Sequence, residues 1–176
     1  MENLLERENL VILDLETTGL PNRDPDTRIV QISLMNNVGR VIFSSLVNPQ
    51  RDIPIEATRI HGIKDSDVFK APTLEDLIVI LRNFLNGSVV VAYNAAFDVH
   101  LLTCRLRALG VAEKFIFEDV FCAMEMYQEF SGSKRWLKLP NLSGGIAHDS
   151  VNDCYNTFLL LKRMFADSNE EISLDF

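Results

Sequence analysis

Cysteine is scarce and poorly spaced in this chain: Cys104, Cys122 and Cys154 are the only three, and no two form a C-x-x-C pair. An odd, scattered set makes neither a disulfide scaffold nor a cysteine-rich zinc site, and it suits reduced thiols in the cytoplasm, each a small core residue. Long apolar runs are missing too. No stretch approaches the roughly 18 residues of a membrane span, and the acidic first ten residues lack the basic-then-apolar order of a secretory signal. Basic charge is in deficit. Seventeen lysines and arginines against 25 acids give a formal charge of -8, which argues against coating nucleic acid by bulk charge, because that requires cations to neutralise phosphates. An enzyme whose acids are masked by bound metal remains allowed, since the phosphate then meets a cationic centre. Internal repeats and low-complexity segments are also lacking.

What is present is ordinary globular material, 47% hydrophobic and 24% charged. It predicts one compact domain over residues 1–166 and a loose acidic tail over 167–176. Strands are expected at 9–16, 28–36 and 41–47, the last two joined by the turn residues Asn36-Asn37-Val38-Gly39, so the three form an antiparallel meander. From Thr73, a plausible N-cap, Leu74, Leu77, Ile78, Leu81, Phe84 and Leu85 repeat at helical spacing up to Asn86-Gly87. A β-branched strand follows at 88–93, then a helix at 96–109 closed by Gly110, a strand near 114–120 and a helix near 122–130. Residues 131–145 read as a long loop, and 151–165 as the final helix. The result is an α/β domain with a mixed five-stranded sheet, three antiparallel strands and then parallel ones, flanked by helices.

The first strand contains an anomaly. Asp14 and Glu16 interrupt the apolar run Val11-Ile12-Leu13, and at i and i+2 both side chains point to one face, about 7 Å apart at the backbone. Two unpaired carboxylates in a core strand would cost several kcal/mol, so a divalent metal is the simplest partner. Asp98 begins the helix after the buried strand, where the helix dipole alone would favour an acid. His148 and Asp153 open the last helix. There Ser150-x-x-Asp153 also reads as a capping box with a shortened acid, and His148 alone as a surface histidine. Four acids and a histidine at separate element ends are better explained by one site than by four coincidences. Four carboxylates suit two divalent ions, and all-oxygen ligands favour magnesium or manganese. An imidazole is suited to take a proton from an attacking water near neutral pH.

These residues resemble the DEDDh-type, DnaQ-like 3′-to-5′ exonucleases of the RNase H-like superfamily, which include polymerase proofreading subunits. The likeness covers roughly residues 9–165. It is carried by Asp14-x-Glu16-Thr17-Thr18-Gly19-Leu20, Val47-Asn48-Pro49, Ile53-Pro54, Ala57-Thr58-x-Ile60-His61-Gly62-Ile63, Asn94-Ala95-Ala96-Phe97-Asp98 and His148-x4-Asp153, an ordered set far more specific than any one motif. The resemblance implies that Asp14 serves both metals, that Glu16 and Asp153 hold the nucleophile-side ion, and that Asp98 helps hold the other. His148 would activate the water, and nucleoside 5′-monophosphates would leave. Thr17, Thr18 and Leu20 would cradle the 3′-terminal nucleotide, with backbone donors and an apolar contact, and Asn94 and Phe97 would line the next subsite. Single-stranded or frayed ends would be the substrate, DNA in preference to RNA. An oligoribonuclease-like RNA exonuclease and a recruitment subunit with a nuclease fold are the alternatives.

Three departures stand out: Asp149 after the histidine, Tyr93 before Asn94, and a short loop containing Gly144-Gly145. His61 is expected to be a helix-end hydrogen bonder and not a metal ligand. Lys134-Arg135-Trp136-Leu137-Lys138 reads either as a grip on a nucleic-acid backbone with a stacking aromatic, or as a solvated loop with Trp136 tucked into the core. At the C-terminus Ile172, Leu174 and Phe176 vaguely resemble peptides that bind a bacterial sliding clamp, against the alternative of a frayed tail.

Overall fold

A computed structural model of the protein describes residues 3–170, with side chains through Ala166. Five strands form one sheet: β1 (Leu10–Thr17), β2 (Ile29–Asn36), β3 (Val41–Leu46), β4 (Val89–Ala92) and β5 (Asp119–Cys122), in spatial order β3-β2-β1-β4-β5. The first three are antiparallel, and β4 and β5 run parallel to β1, so the mixed sheet expected from the sequence is the one observed. Six helices surround it: α1 (Ile55–His61), α2 (Asp65–Val68), α3 (Leu74–Leu85), α4 (Ala95–Ala108), α5 (Ala123–Ser131) and α6 (Ser150–Glu170).

The alternation along β1 sorts its side chains between two cores. Val11, Leu13 and Leu15 pack with Leu77, Leu81 and Leu85 of α3 and Leu102 and Leu106 of α4. Leu10 and Ile12 face the other way, onto Leu160, Leu161, Met164 and Phe165 of α6. Asp14 and Glu16 continue that second face beyond the end of its apolar part, a direct consequence of the two-residue period of a strand. Ile12 is wholly buried, and truncating it to alanine would cost about 2–5 kcal/mol.

Local chemistry sets the element ends. Thr73 and Asp76 form a reciprocal capping box at the start of α3, with Thr73 N–H donating to Asp76 Oδ2 at 2.9 Å. The β2–β3 turn places Gly39 at φ +76°, against the ring of Phe158, where a Cβ would come within 2.7 Å of a ring carbon. Glycine is therefore required both by the backbone and by the close approach of α6.

Several expectations need correction. The segment 55–68 forms two short helices, not anticipated as elements, which pack Ala57, Ile63 and Val68 against Val30 of β2. The fifth strand lies at Asp119–Cys122, not near 114–120, because 112–114 make a 3-10 turn and Phe115 turns into the core. The last helix runs to Glu170, five residues past its expected end. Only Cys154 is a buried core cysteine; Cys104 and Cys122 are partly exposed. Trp136 is 73% exposed, so it is not tucked into the core. Ile172, Leu174 and Phe176 lie outside the described residues. Among those described, no helix is long and apolar enough to cross a membrane.

Candidate active site

The two β1 acids reach the site from the central strand of the sheet, paired on both sides. Asp14 pairs across the ladder with Ser33 and Glu16 with Gln31, and the register slips just after Glu16. A bulge of this kind ends regular pairing and re-aims the residues beside it. The Ser33 hydroxyl hydrogen-bonds the Ser150 hydroxyl at 2.6 Å, and the Cys154 thiol donates to the carbonyls of Ile12 and Ser33. These contacts dock the first turn of α6 onto β1 and β2 and bring Asp153 beside the strand acids. Carboxylate oxygens of Asp14, Glu16 and Asp153 all lie within 4.8 Å of one another.

Asp98 stands apart from that trio. It is 5% exposed, and its Oδ1 accepts the Leu15 backbone N–H at 3.2 Å, which fixes α4 to β1. Its carboxyl still interacts electrostatically with Asp14 and Asp153. Burial above all, and then the neighbouring carboxylates, push Asp14 well above its ordinary range and Glu16 up to about 8. Burial lifts Asp98 to about 7, against the pull of its backbone hydrogen bonds, and raises Asp153 as well. Among the described residues, no lysine or arginine forms a salt bridge with any of the four. Crowded, half-dehydrated carboxylates without a cationic side chain are the donor set that hard divalent cations take, so the residues fit the metal expected from the sequence.

His148 sits two residues before α6 with φ +60°, a left-handed backbone uncommon outside glycine. Its N–H donates to Asp153 Oδ2 at 3.1 Å. The capping-box reading of Ser150 and Asp153 is therefore overturned: Asp149 caps α6, accepting the Asn152 N–H at 3.0 Å, while Asp153 turns inward to the site. The loop before His148 is held from α6 itself. Asn156 Oδ1 accepts the N–H groups of Leu142 and Ser143, and the Asn152 amide donates to the Ile146 carbonyl. Gly145 packs so closely on Asn152 that a Cβ would collide with its side chain. The short Gly144-Gly145 loop, read as a departure, is thus matched to the asparagines facing it.

A cavity of about 580 Å³ joins these groups, lined by Asp14, Glu16, Asp98, His148 and Asp153 together with Thr17, Leu20, Asn94 and Phe97. His61 lines it as well. With Nδ1 accepting the Ile63 N–H, its Nε2 donates to the Thr17 carbonyl at 3.2 Å, the helix-end role expected of it. Burial lowers its pKa and favours the neutral ring. Thr18 is a correction. Its N–H donates to the Arg28 carbonyl and its hydroxyl accepts the Arg28 N–H, so both groups serve the turn and it does not line the cavity. Asn94 Oδ1 is a buried side-chain oxygen with no partner. Sequence reasoning missed Ser33, whose partner Ser150 is remote in sequence, and Asn152 and Asn156, whose partners lie in the irregular loop before α6. Lys138 was noted only within its basic run, yet it lines the same cavity.

Comparison with known proteins agrees with this geometry. Residues 11–161 match the RNase T exonuclease family. An exonuclease of Escherichia phage 186, CP81, itself uncharacterised, is 32% identical over 167 residues, covering 85% of this chain and 84% of the phage protein. The DNA polymerase III epsilon subunit of Rickettsia felis is 36% identical over 107 residues, and the match spans 46% of that subunit. Among solved structures, Exonuclease X in complex with 5′-overhanging duplex DNA superposes with a TM-score of 0.66 at 27% identity, over 91% of this chain and 93% of the other. The nuclease domain of 3′hExo, a DEDDh member bound to rAMP, shares the fold at a TM-score of 0.72 and 18% identity, over 90% of this chain and 92% of that one. The family match runs from β1 into α6, the two elements that supply Asp14, Glu16 and Asp153. The chain therefore belongs to the RNase T exonuclease family, as a phosphodiester-cleaving nuclease on an RNase H-like fold.

Proposed function

We propose that this exonuclease removes nucleotides one at a time from the 3′ ends of single-stranded or frayed DNA and releases nucleoside 5′-monophosphates. The observation that carries this reading is the convergence of Asp14, Glu16 and Asp153 within 4.8 Å in a cavity that also holds His148. Asp14, Glu16 and Asp153 would hold one magnesium or manganese ion, and Asp14 with Asp98 a second. Once bound, the two ions supply positive charge that draws the phosphate oxygens and acidifies a nearby water. His148 takes the proton of the attacking water, and its backbone bond to Asp153 keeps it at the edge of the cluster. Thr17 and Leu20 receive the terminal nucleotide, and Asn94 and Phe97 the one before it. The unpartnered Asn94 Oδ1 supports a polar contact there. Lys138 is suited to a phosphate at the mouth of the same cavity.

DNA is favoured over RNA on the kinship with an epsilon subunit and the likeness to Exonuclease X. A polymerase is the partner class that the epsilon kinship suggests, and the unpaired thiols fit the cytoplasm. A 5′-labelled oligonucleotide tests the reading. With magnesium it should shorten in single-nucleotide steps; activity that persists in EDTA or on a circular strand would overturn it.

A further inference from the structure

Trp136 is the only tryptophan of the chain and one of its most exposed large apolar side chains, 73% accessible. An indole left in water forgoes about 2 kcal/mol of burial and needs a reason. The backbone that presents it is not loose. On one side the Gln128 amide donates to the Arg135 carbonyl at 2.8 Å, and on the other the Tyr93 hydroxyl donates to the Leu137 carbonyl at 2.7 Å. Tyr93 lies at the end of β4, among the residues that line the catalytic cavity. The backbone on either side of the indole is thus held by two clamps, one of them from a residue that lines the catalytic cavity.

What the indole borders is specific. Trp136, Pro21 and His100 line a cavity of about 310 Å³ together with Leu20, Asn94 and Phe97. The last three also line the catalytic cavity, so the two spaces adjoin and share a wall. Exposed Lys134, Arg135 and Lys138 flank the indole in a chain of net charge -8. A local basic run beside an aromatic platform complements a polyanion whose bases have π-faces. An apolar protein segment would use the indole without using the cations.

We propose that Trp136 stacks an unpaired base of the substrate strand upstream of the two terminal nucleotides, with Lys134 and Arg135 on the adjoining phosphates. The enzyme then reads an extended single strand rather than its last nucleotide alone. This rests on the 3′-exonuclease reading of the neighbouring cavity and extends its substrate contacts.

Because Trp136 is the sole tryptophan, its emission reports this subsite alone. A single-stranded decathymidylate with hydrolysis-resistant phosphorothioate links should quench the emission saturably, whereas thymidine 5′-monophosphate should not. Binding of the same oligonucleotide, seen by anisotropy of a 5′ dye, with no change in emission would overturn the proposal. Kinetics give a second readout: kcat/KM on a decathymidylate divided by kcat/KM on the p-nitrophenyl ester of thymidine 5′-monophosphate. That ratio should fall about tenfold in Trp136→Ala, mainly through KM on the oligonucleotide, and recover in Trp136→Phe. An equal fall on both substrates would mean a structural role and would refute the subsite. A wild-type enzyme inactive on both would instead bring down the exonuclease reading beneath it.

Discussion

Two groups of acids in this protein meet opposite fates. Asp24 and Asp26, in the loop after β1, lie among three arginines: Arg51 contacts both, and Arg28 and Arg105 bond Asp26 at 2.8 and 3.0 Å. Hydrogen bonds from Arg28 and Arg105 hold the Asp26 carboxyl below its usual range. Asp14, Glu16, Asp98 and Asp153 have no such partners; burial above all drives the four upward, and neighbouring carboxylates, Asp149 in the case of Asp153, add to it. The first group is complete as folded. The second gains its counter-charge only when cations bind, which is how a fold stores affinity for a divalent ion.

The contrast is most strongly tested at Asp14, whose carboxyl is repelled by each of the other three. Asp14→Ala should lower kcat by about 10⁴-fold or more while circular dichroism reports an intact fold; near-normal activity would mean the acids do not act as one site. His148→Ala should cost about 10²–10³-fold in kcat, with KM little changed. Asn152→Ala removes the donor to Ile146 and the acceptor of the Ser143 hydroxyl. It should destabilise by about 1–2 kcal/mol and lower kcat more than it raises KM, because the loop carrying His148 loosens.

Without metal, the unpartnered group should also leave a signature in pH. Glu16 binds its proton more tightly folded than unfolded, with a folded pKa of about 8. Its contribution is fully present below its unfolded value near pH 4.5 and is lost as the pH rises toward 8. Glu16→Gln should therefore melt above wild type in EDTA, by a gap that widens from pH 5 to pH 8 and closes or reverses when magnesium is added. His61, whose pKa is lowered, contributes in the opposite sense, losing stability as the pH falls, and does so equally in both proteins. The smallest effect belongs to the paired group: Asp26→Asn should shift the Tm by only a few degrees, sensitive to salt, with activity retained.

The strand acids were legible because a two-residue period in an apolar run leaves no other interpretation for Asp14 and Glu16. The antiparallel meander and α3 were legible for the same kind of reason, as strong local periodicity. β5 was misplaced because it is a short edge strand, paired only with β4, whose half-exposed residues carry little pattern. The 55–68 helices were invisible as elements because their first cap is Pro54, without a side-chain bond, and their apolar residues are too few for a period. Least legible was the packing that positions His148. Asn152 and Asn156 read as ordinary polar helix positions, and only their contacts with residues 142–146 show what they hold.

Titration of manganese into metal-free protein, followed by calorimetry, tests the central claim most directly. Saturable binding that weakens at least tenfold in Asp14→Asn and is unaltered in Asp26→Asn is the predicted result. Equal binding by wild type and Asp14→Asn would contradict it, because the acids on β1 would then not be the site that waits for the ion.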